Sequence, residues 1–504
     1  MKRLSIEDMA SFCMRKGIVY PSGDIYGGEK GFFDLGPYGT ELKRNISESW
    51  WSTFVRGRSD VVGVDGSIIT NPAVWKASGH VDGFIDLILK SEDGSTKVRA
   101  DHYLEDELGG DYDGVTADTV DRLVEEHELK APNGEEWKPC TTFNLMFETH
   151  SGPYQKKGSK TYLRPETAQL IFTNFKYAKQ NGRMKLPFGI AQEGKAFRNE
   201  ISPRNFLFRT REFSQLELEY FVNPHDEPPF KQSDFDVIIH SQTVEEQRDD
   251  KEGEERNIQG FVEDEKMNTS QAYFLARTIK WFEELGVDTS RIRIREQLPS
   301  ELAHYSSSCW DIEYDFPFGW SEVMGCADRG NHDLKSHQEQ SGKKLSVYDQ
   351  DKKEHVIPEV AAEPSLGVER ALLVFLYDAL YDDDRGNDTL GLHPDLSPYT
   401  VSVFPLVKKE EEIVSMAKSI VSDLQSLVSV KYDERGSIGK RYARQDEIGT
   451  PFCITVDFDS LDDDAATIRF RDSTEQERVS IDDLPSKIAE EVSNYNRRSS
   501  KSDT

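Results

Sequence analysis

Phe197 to Phe221 reads FRNEISPRNFLFRTREFSQLELEYF. Polar and apolar residues alternate at both ends, and the middle holds Ser202, Pro203 and Asn205, so the stretch reads as a long antiparallel hairpin. Alternation decides which side chains share a face. Arg198 and Glu200 share one on the first strand; Arg211, Phe213, Gln215 and Glu217 share one on the second, with Leu216, Leu218 and Tyr220 opposite. One side is core, and the other collects guanidinium groups, carboxylates and a ring. Such a face suits a nucleotide lying flat on a sheet: Arg198 forks onto a phosphate, Phe213 stacks on a base and Glu200 accepts an amino hydrogen. For an isolated R-x-E the alternative is a surface hairpin with ordinary ion pairs.

A second informative stretch is EPSLGVERALLVFLYDAL, Glu363 to Leu380, a strand leading into a helix that is apolar on nearly every side. Arg370 is the only basic residue in that helix, and a lone buried arginine needs an anion: Glu369, another acid, or a ligand phosphate. Upstream, Leu42, Ile46, Trp50 and Phe54 at four-residue spacing predict a helix from Pro37, and Val61 to Ile69 predicts a strand stopped by Asn71 and Pro72. No G-x-x-x-x-G-K-[ST] or G-x-G-x-x-G occurs, which disfavours an ordinary parallel nucleotide-binding fold.

The two stretches resemble motifs 2 and 3 of class II aminoacyl-tRNA synthetases, and TNPAVW after the predicted strand resembles motif 1. YLRPETAQLIF (Tyr162 to Phe172), CWDIEYDFPFGWSEVMGCADRGNHDL (Cys309 to Leu334) and KRYARQDEIGTPFCITVD (Lys440 to Asp457) extend the likeness to the homodimeric glycyl-tRNA synthetases. The fold class implied is α/β with an α+β core: an antiparallel sheet flanked by helices, plus a small C-terminal α/β anticodon-binding domain. The resemblance implies ATP with Mg2+, glycine and a tRNA for glycine as substrates, and a homodimer through the motif 1 region.

It also implies site residues. For ATP these are Arg198, Asn199, Glu200, Phe208, Arg209, Thr210, Arg211, Glu212, Phe213, Glu322, Val323, Gly367, Val368, Glu369 and Arg370, with Arg198 and Arg370 catalytic and Glu322 the Mg2+ ligand. For glycine they are Arg99, Glu166, Phe213, Ser214, Gln215, Leu216, Glu217, Glu363, Pro364, Ser365, Leu366 and Gly367. Several carboxylates in one cleft repel one another until a cation such as an ammonium arrives. Pairing of each carboxylate with a nearby arginine is the structural alternative. Glu166 heads a helix with an apolar stripe of Ala168, Ile171, Phe175 and Ala178, where a carboxylate also stabilises the helix N-terminus.

Size and composition agree with an enzyme of several domains. The 504 residues exceed a single compact core, and 36% apolar with 31% charged residues fits a globular chain. Residues 1–90, 161–222 and 299–394 read as one catalytic core, 91–160 and 223–298 as acidic insertions, 395–496 as the C-terminal domain and 497–504 as a disordered tail. Tyr381 to Pro398, rich in Asp, Gly and Pro, reads as the linker. The net charge of −30 opposes general nucleic-acid binding, but acid concentrated in Glu105 to Asp113 and Asp249 to Glu255 leaves room for basic patches. One such patch, Arg435, Lys440, Arg441 and Arg444 with Tyr442, suits a single-stranded RNA loop or is a solvated turn.

Five scattered cysteines without C-x-x-C imply neither a disulfide framework nor zinc. The absence of a long apolar run or secretory signal places the chain in the cytoplasm. Rivals remain: the same fold serving threonine, proline, serine or histidine, or a non-catalytic relative that only binds nucleic acid. The first lacks its zinc-ligand cluster here. The second has no need of Arg198, Glu200, Phe213 and Arg370 together.

Overall fold

A computed structural model describes residues 2–110, 112, 114–153, 159–226, 229–303, 305–349, 353–383 and 386–495. The expected disordered tail lies outside them. The elements that position the site are α1 (Pro37–Trp51), β1 (Val61–Gly63), α2 (Ala168–Asn181), β2 (Phe188–Phe197), β3 (Glu212–Val222), β4 (Ile238–Gln242), β5 (Glu254–Asn257), α3 (Thr269–Glu284), β6 (Ile292–Glu296), β7 (Ser308–Phe316), β8 (Gly319–Asp328), α4 (His332–Ser341), β9 (Glu359–Gly367) and α5 (Val368–Ala379). The nine strands form one sheet in the order β5-β4-β6-β7-β8-β9-β3-β2-β1. The six strands from β6 to β2 are mutually antiparallel; β4 on β6 and β1 on β2 are parallel.

One face of this sheet is packed by three helices whose sequences explain their burial. Helix α1 starts with Pro37 at its first turn, where the missing N–H costs nothing, and buries Leu42, Ile46 and Trp50. A capping box between Asn268 and Gln271 opens α3. Helix α5 follows β9 without a loop and buries eleven of its twelve residues, all but Arg370. Leu216 and Leu218 of β3, Met324 and Cys326 of β8, and Leu366 of β9 meet these helices in one core.

Three expectations change. The segment 223–298, read as an insertion around the core, lies within it: β4, β5 and β6 extend the main sheet, and Phe235, Ile258, Leu275 and Ile294 are part of its core. The predicted strand Val61 to Ile69 stops at Gly63, and Asn71 instead caps a short helix, Pro72–Ala77, by accepting from the Ala73 N–H at 3.0 Å. The Tyr381–Pro398 segment is no loose linker, because Leu390, Leu392 and Leu396 are buried in the catalytic core. Leu89, Leu104, Val120 and Trp137 belong to a separate small cluster.

The C-terminal part comprises β10 (Val401–Pro405), α6 (Glu411–Leu424), β11 (Val430–Tyr432), α7 (Ile438–Asp446), β12 (Phe452–Val456), β13 (Ala465–Phe470), β14 (Gln476–Ser480) and α8 (Leu484–Ser493). Its sheet runs β11-β10-β12-β13-β14 around a separate core. Among the described residues no helix is long and apolar enough to cross a membrane.

Candidate active site

Register decides what shares the open face of the large sheet. Phe213, Gln215 and Glu217 of β3 stand opposite Ala196, Gly194 and Gln192 of β2, while Gln215 and Glu217 stand opposite Gly367 and Ser365 of β9. Ser365 and Glu363 face Gly325 and Ala327 of β8. Small residues therefore pave part of the floor between the polar side chains. A cleft of about 760 Å³ lies over this floor, and Arg198, Phe213 and Arg370 all line it, together with Glu166, Glu217 and Glu363. A larger hollow of about 1390 Å³, between α1, α3 and the C-terminal domain, collects none of the predicted residues.

At one end of the cleft the cations are already engaged. Arg198 follows β2 directly, donates through Nε to the Pro165 oxygen at 3.2 Å and lies 5.4 Å over the rings of both Phe213 and Phe84. Arg370 donates through Nη1 to the Glu322 main-chain oxygen at 2.9 Å, pairs with its carboxylate at 3.1 Å and covers the Phe208 ring at 4.5 Å. The buried carboxylate of Glu200 accepts from Arg209 Nε at 2.8 Å. Thr210 lines the cleft too, with its hydroxyl donating to the Glu212 oxygen at 3.0 Å.

The other end is a nest of carboxylates. Glu217 accepts from the hydroxyl of Thr167 and from that of Ser365, the latter at 2.8 Å. Glu166, at the head of α2, pairs with His80 Nε2 at 3.3 Å and accepts from Gln169 at 3.0 Å. Burial would raise Glu166, but His80 and Arg329 outweigh it and hold the group well below the carboxylate range. Glu217 goes the other way, raised by burial and by the neighbouring charge of Glu166. Glu363 accepts from Arg329 Nη1 at 2.6 Å. Burial pushes it up to about 8, against Arg329 and with help from Glu217 and Glu166.

Several predicted residues lie elsewhere. Arg211 and Glu212 leave the cleft: Arg211 donates to the Glu200 oxygen at 3.0 Å and the Lys30 oxygen at 2.9 Å, and Glu212 pairs with Lys195 on the surface. The expected alternation fails at Arg211 because β3 begins only at Glu212. Asn199 donates its N–H to the Leu145 oxygen at 2.7 Å. Arg99 is paired with Asp101 at 2.6 Å and Asp86 at 3.7 Å. Leu216, Leu366, Val323 and Val368 send their side chains into the core, and Pro364 is buried, so only their main chain faces the floor. The carboxylate of Glu369 holds the Ser214 N–H at 2.7 Å and Lys43 of α1 at 3.1 Å. Gln215 donates to Ser365 at 3.3 Å.

Sequence reasoning gave no role to Arg329, His80, Thr167, Gln169 or Lys43. The one signal was an arginine four residues before an aspartate at a helix start, Arg329 and Asp333, inside a stretch quoted for its resemblance alone. In the C-terminal domain most of the basic patch from Arg435 to Arg444 lies on helix α7. Arg441 is buried and donates to the oxygens of Pro405 and Gly436, and the Tyr442 hydroxyl bonds to Thr455, so neither is available to RNA. Arg435, Lys440 and Arg444 are all exposed, and Arg444 pairs with Asp433 at 2.5 Å.

Residues 400–491 match the family model of the anticodon binding domain. A glycine–tRNA ligase of Treponema denticola is 39% identical over 505 residues, covering 98% of this chain and 99% of that protein. Those of Staphylococcus saprophyticus and Bacillus cereus strain ZK are 39% identical over 502 residues and 40% over 491, covering 97% and 95% of this chain and 99% and 97% of the respective relatives. On this similarity over nearly its full length, with the sheet and motifs of the class II synthetases in place, the chain belongs to the glycyl-tRNA synthetase family.

Proposed function

We propose that the cleft joins glycine to AMP on the floor formed by β3 and β9, as the first half of attaching glycine to tRNA at the expense of ATP. The attachment of glycine to tRNA comes with the family; the assignments to residues are our own reading. What carries them is one observation: Arg198, Phe213 and Arg370 line the same cleft as Glu166, Glu217 and Glu363. Adenine lies between the Phe213 ring and the Arg370 plane, and Glu200 accepts from its amino group. The carboxylate of glycine attacks the α-phosphorus in line and pyrophosphate leaves. Arg198 takes the charge that builds on the α-phosphate, and Arg209 and Arg370 hold the outer phosphates. No general base is required, because the nucleophile is already ionised.

The ammonium of glycine is held by Glu166, Glu217 and Glu363, with Ser365 beside them, and selection against larger amino acids rests on overpacking beyond Cα. Glu322 offers a single partly exposed carboxylate, a donor set that fits a Mg2+ ion bound mainly through phosphates and water. Such an ion would neutralise phosphate charge. Arg435 and Lys440 meet the RNA in the C-terminal domain. Two copies pair through the region around β1, an edge strand followed by the exposed Ile68 and Ile69, and the enzyme works in the cytoplasm.

The decisive experiment is glycine-dependent pyrophosphate exchange with Arg198→Ala. Loss of one positioned donor removes about 3–4 kcal/mol of transition-state stabilisation, so the rate drops roughly 100- to 1000-fold. A near-normal rate removes Arg198 from the mechanism. Exchange driven by another amino acid and not by glycine removes the pocket assignment.

A further inference from the structure

Behind the three carboxylates assigned to the substrate stands a fourth that the reaction above does not use. Tyr220 pairs with Ala362 and Glu217 with Ser365, so Glu219 of β3 lies directly beside Glu363 of β9. Glu219 is fully buried, and neither of its oxygens has a hydrogen-bonding partner among the described residues. One oxygen each from Glu217, Glu219 and Glu363 falls within 4.8 Å of the others.

Among the described residues the surroundings offer this group no cation of its own. Arg329 is fully buried and gives its three bonds to Asp333 and Glu363. Glu166 is held by His80 and Gln169, and His337 bonds to Gln169. Tyr305, Cys309 and Cys326, all raised by burial, stay neutral. Three like charges at this spacing among buried side chains cannot all persist, and the group without a donor among the described residues is the one that keeps its proton.

We propose that Glu219 is a positioning residue: it remains a neutral carboxylic acid and donates its proton in a hydrogen bond to Glu363, keeping that carboxylate oriented for the ammonium of the substrate. This deepens the glycine-activation reading and rests on it. The pair then holds two protons when the cleft is empty at low pH and one when glycine is bound. The proton on Glu219 never leaves; the ammonium replaces the one on Glu363. Burial and Glu363 both raise Glu219 well above the carboxylate range, in accord with this order of release.

The test measures glycine-dependent pyrophosphate exchange across pH in the full-length protein, for wild type, Glu219→Gln and Glu219→Leu. The glutamine amide donates the same bond without a titrating proton, so its kcat/KM for glycine stays within about threefold and its pH midpoint stays in place. Leucine has no donor, so Glu363 loses a bond that favours its charged form. The midpoint rises by roughly half a unit or more and KM for glycine rises about tenfold, with KM for ATP little changed.

An ionised Glu219 predicts the opposite sign, a midpoint lowered in both variants, and that result overturns the proposal. So does a midpoint that moves in neither. Should the leucine variant not fold, infrared difference spectra of wild type against Glu219→Gln decide: the carbonyl stretch of a protonated carboxylic acid must be present above the Glu363 midpoint in wild type and missing in the variant. Wild-type protein without glycine-dependent exchange refutes the glycine reading instead, and leaves the infrared band as the measure of Glu219.

Discussion

Replacing Arg329 by methionine keeps the length of the side chain and removes the one cation that buried Asp333 and Glu363 share. The guanidinium is fully buried, donates to Asp333 at 2.8 and 2.9 Å and to Glu363 at 2.6 Å, and lies 3.8 Å over the Tyr305 ring. Three bonds to charged groups, at about 1.5–3 kcal/mol each, bound the loss from above. Proton uptake by the abandoned carboxylates returns part of it, and deletion of one partner of a buried pair costs about 3–5 kcal/mol. At roughly 2–4 °C per kcal/mol for domains of this order, Tm falls by about 6–20 °C.

The loss also depends on pH with a definite sign. Burial pushes Asp333 up and Arg329 more than reverses it, so its folded value lies below its unfolded one. Its contribution is present above the unfolded value and fades as pH falls through the folded one. In the variant Asp333 rises, so the deficit relative to wild type is largest above the Glu363 midpoint and shrinks on acidification as both acids take up protons. Denaturant and thermal unfolding at mildly alkaline and mildly acidic pH measure this. A loss below about 1 kcal/mol under alkaline conditions, or one that grows on acidification, refutes the reasoning.

Other outcomes follow from the same site. Glycine binds the ionised form of Glu363, whose value is pushed up to about 8, so kcat/KM for glycine falls about tenfold for each pH unit below that and levels off above it. A flat profile between pH 6 and 8 contradicts the assignment. Arg435→Ala with Lys440→Ala leaves exchange intact, lowers tRNA charging and reduces the salt slope of tRNA binding by about one unit per removed contact. Arg441→Ala instead lowers the stability of the C-terminal domain, by roughly 1–3 kcal/mol for the main-chain oxygens left without donors, as thermal unfolding of the intact chain would show.

The hairpin that anchors the fold was legible because its alternation is local: Phe213, Gln215 and Glu217 share the open face as the period of two demands. The same period was visible in Ile292, Arg293 and Ile294, yet the acid around 223–298 masked strands that complete the main sheet. Arg370 stood out as the sole cation of an apolar helix, and its partner Glu322 came only with the fold. Arg329, His80 and Lys43 belong to segments far from the hairpin in sequence, and nothing in the local pattern of each says which carboxylate it will meet. Arg211 was misplaced for a local reason, because the strand starts one residue later than the alternation supposed.

Arg370 leans on an acidic group and an aromatic surface, Glu322 and Phe208. On the proposed reading, a nucleotide offers the same two kinds of neighbour, an anion and a flat ring, so its arrival is an exchange of like for like. The side chain then surrenders little rotational freedom at the moment of capture, because most of that freedom was given up when the chain folded.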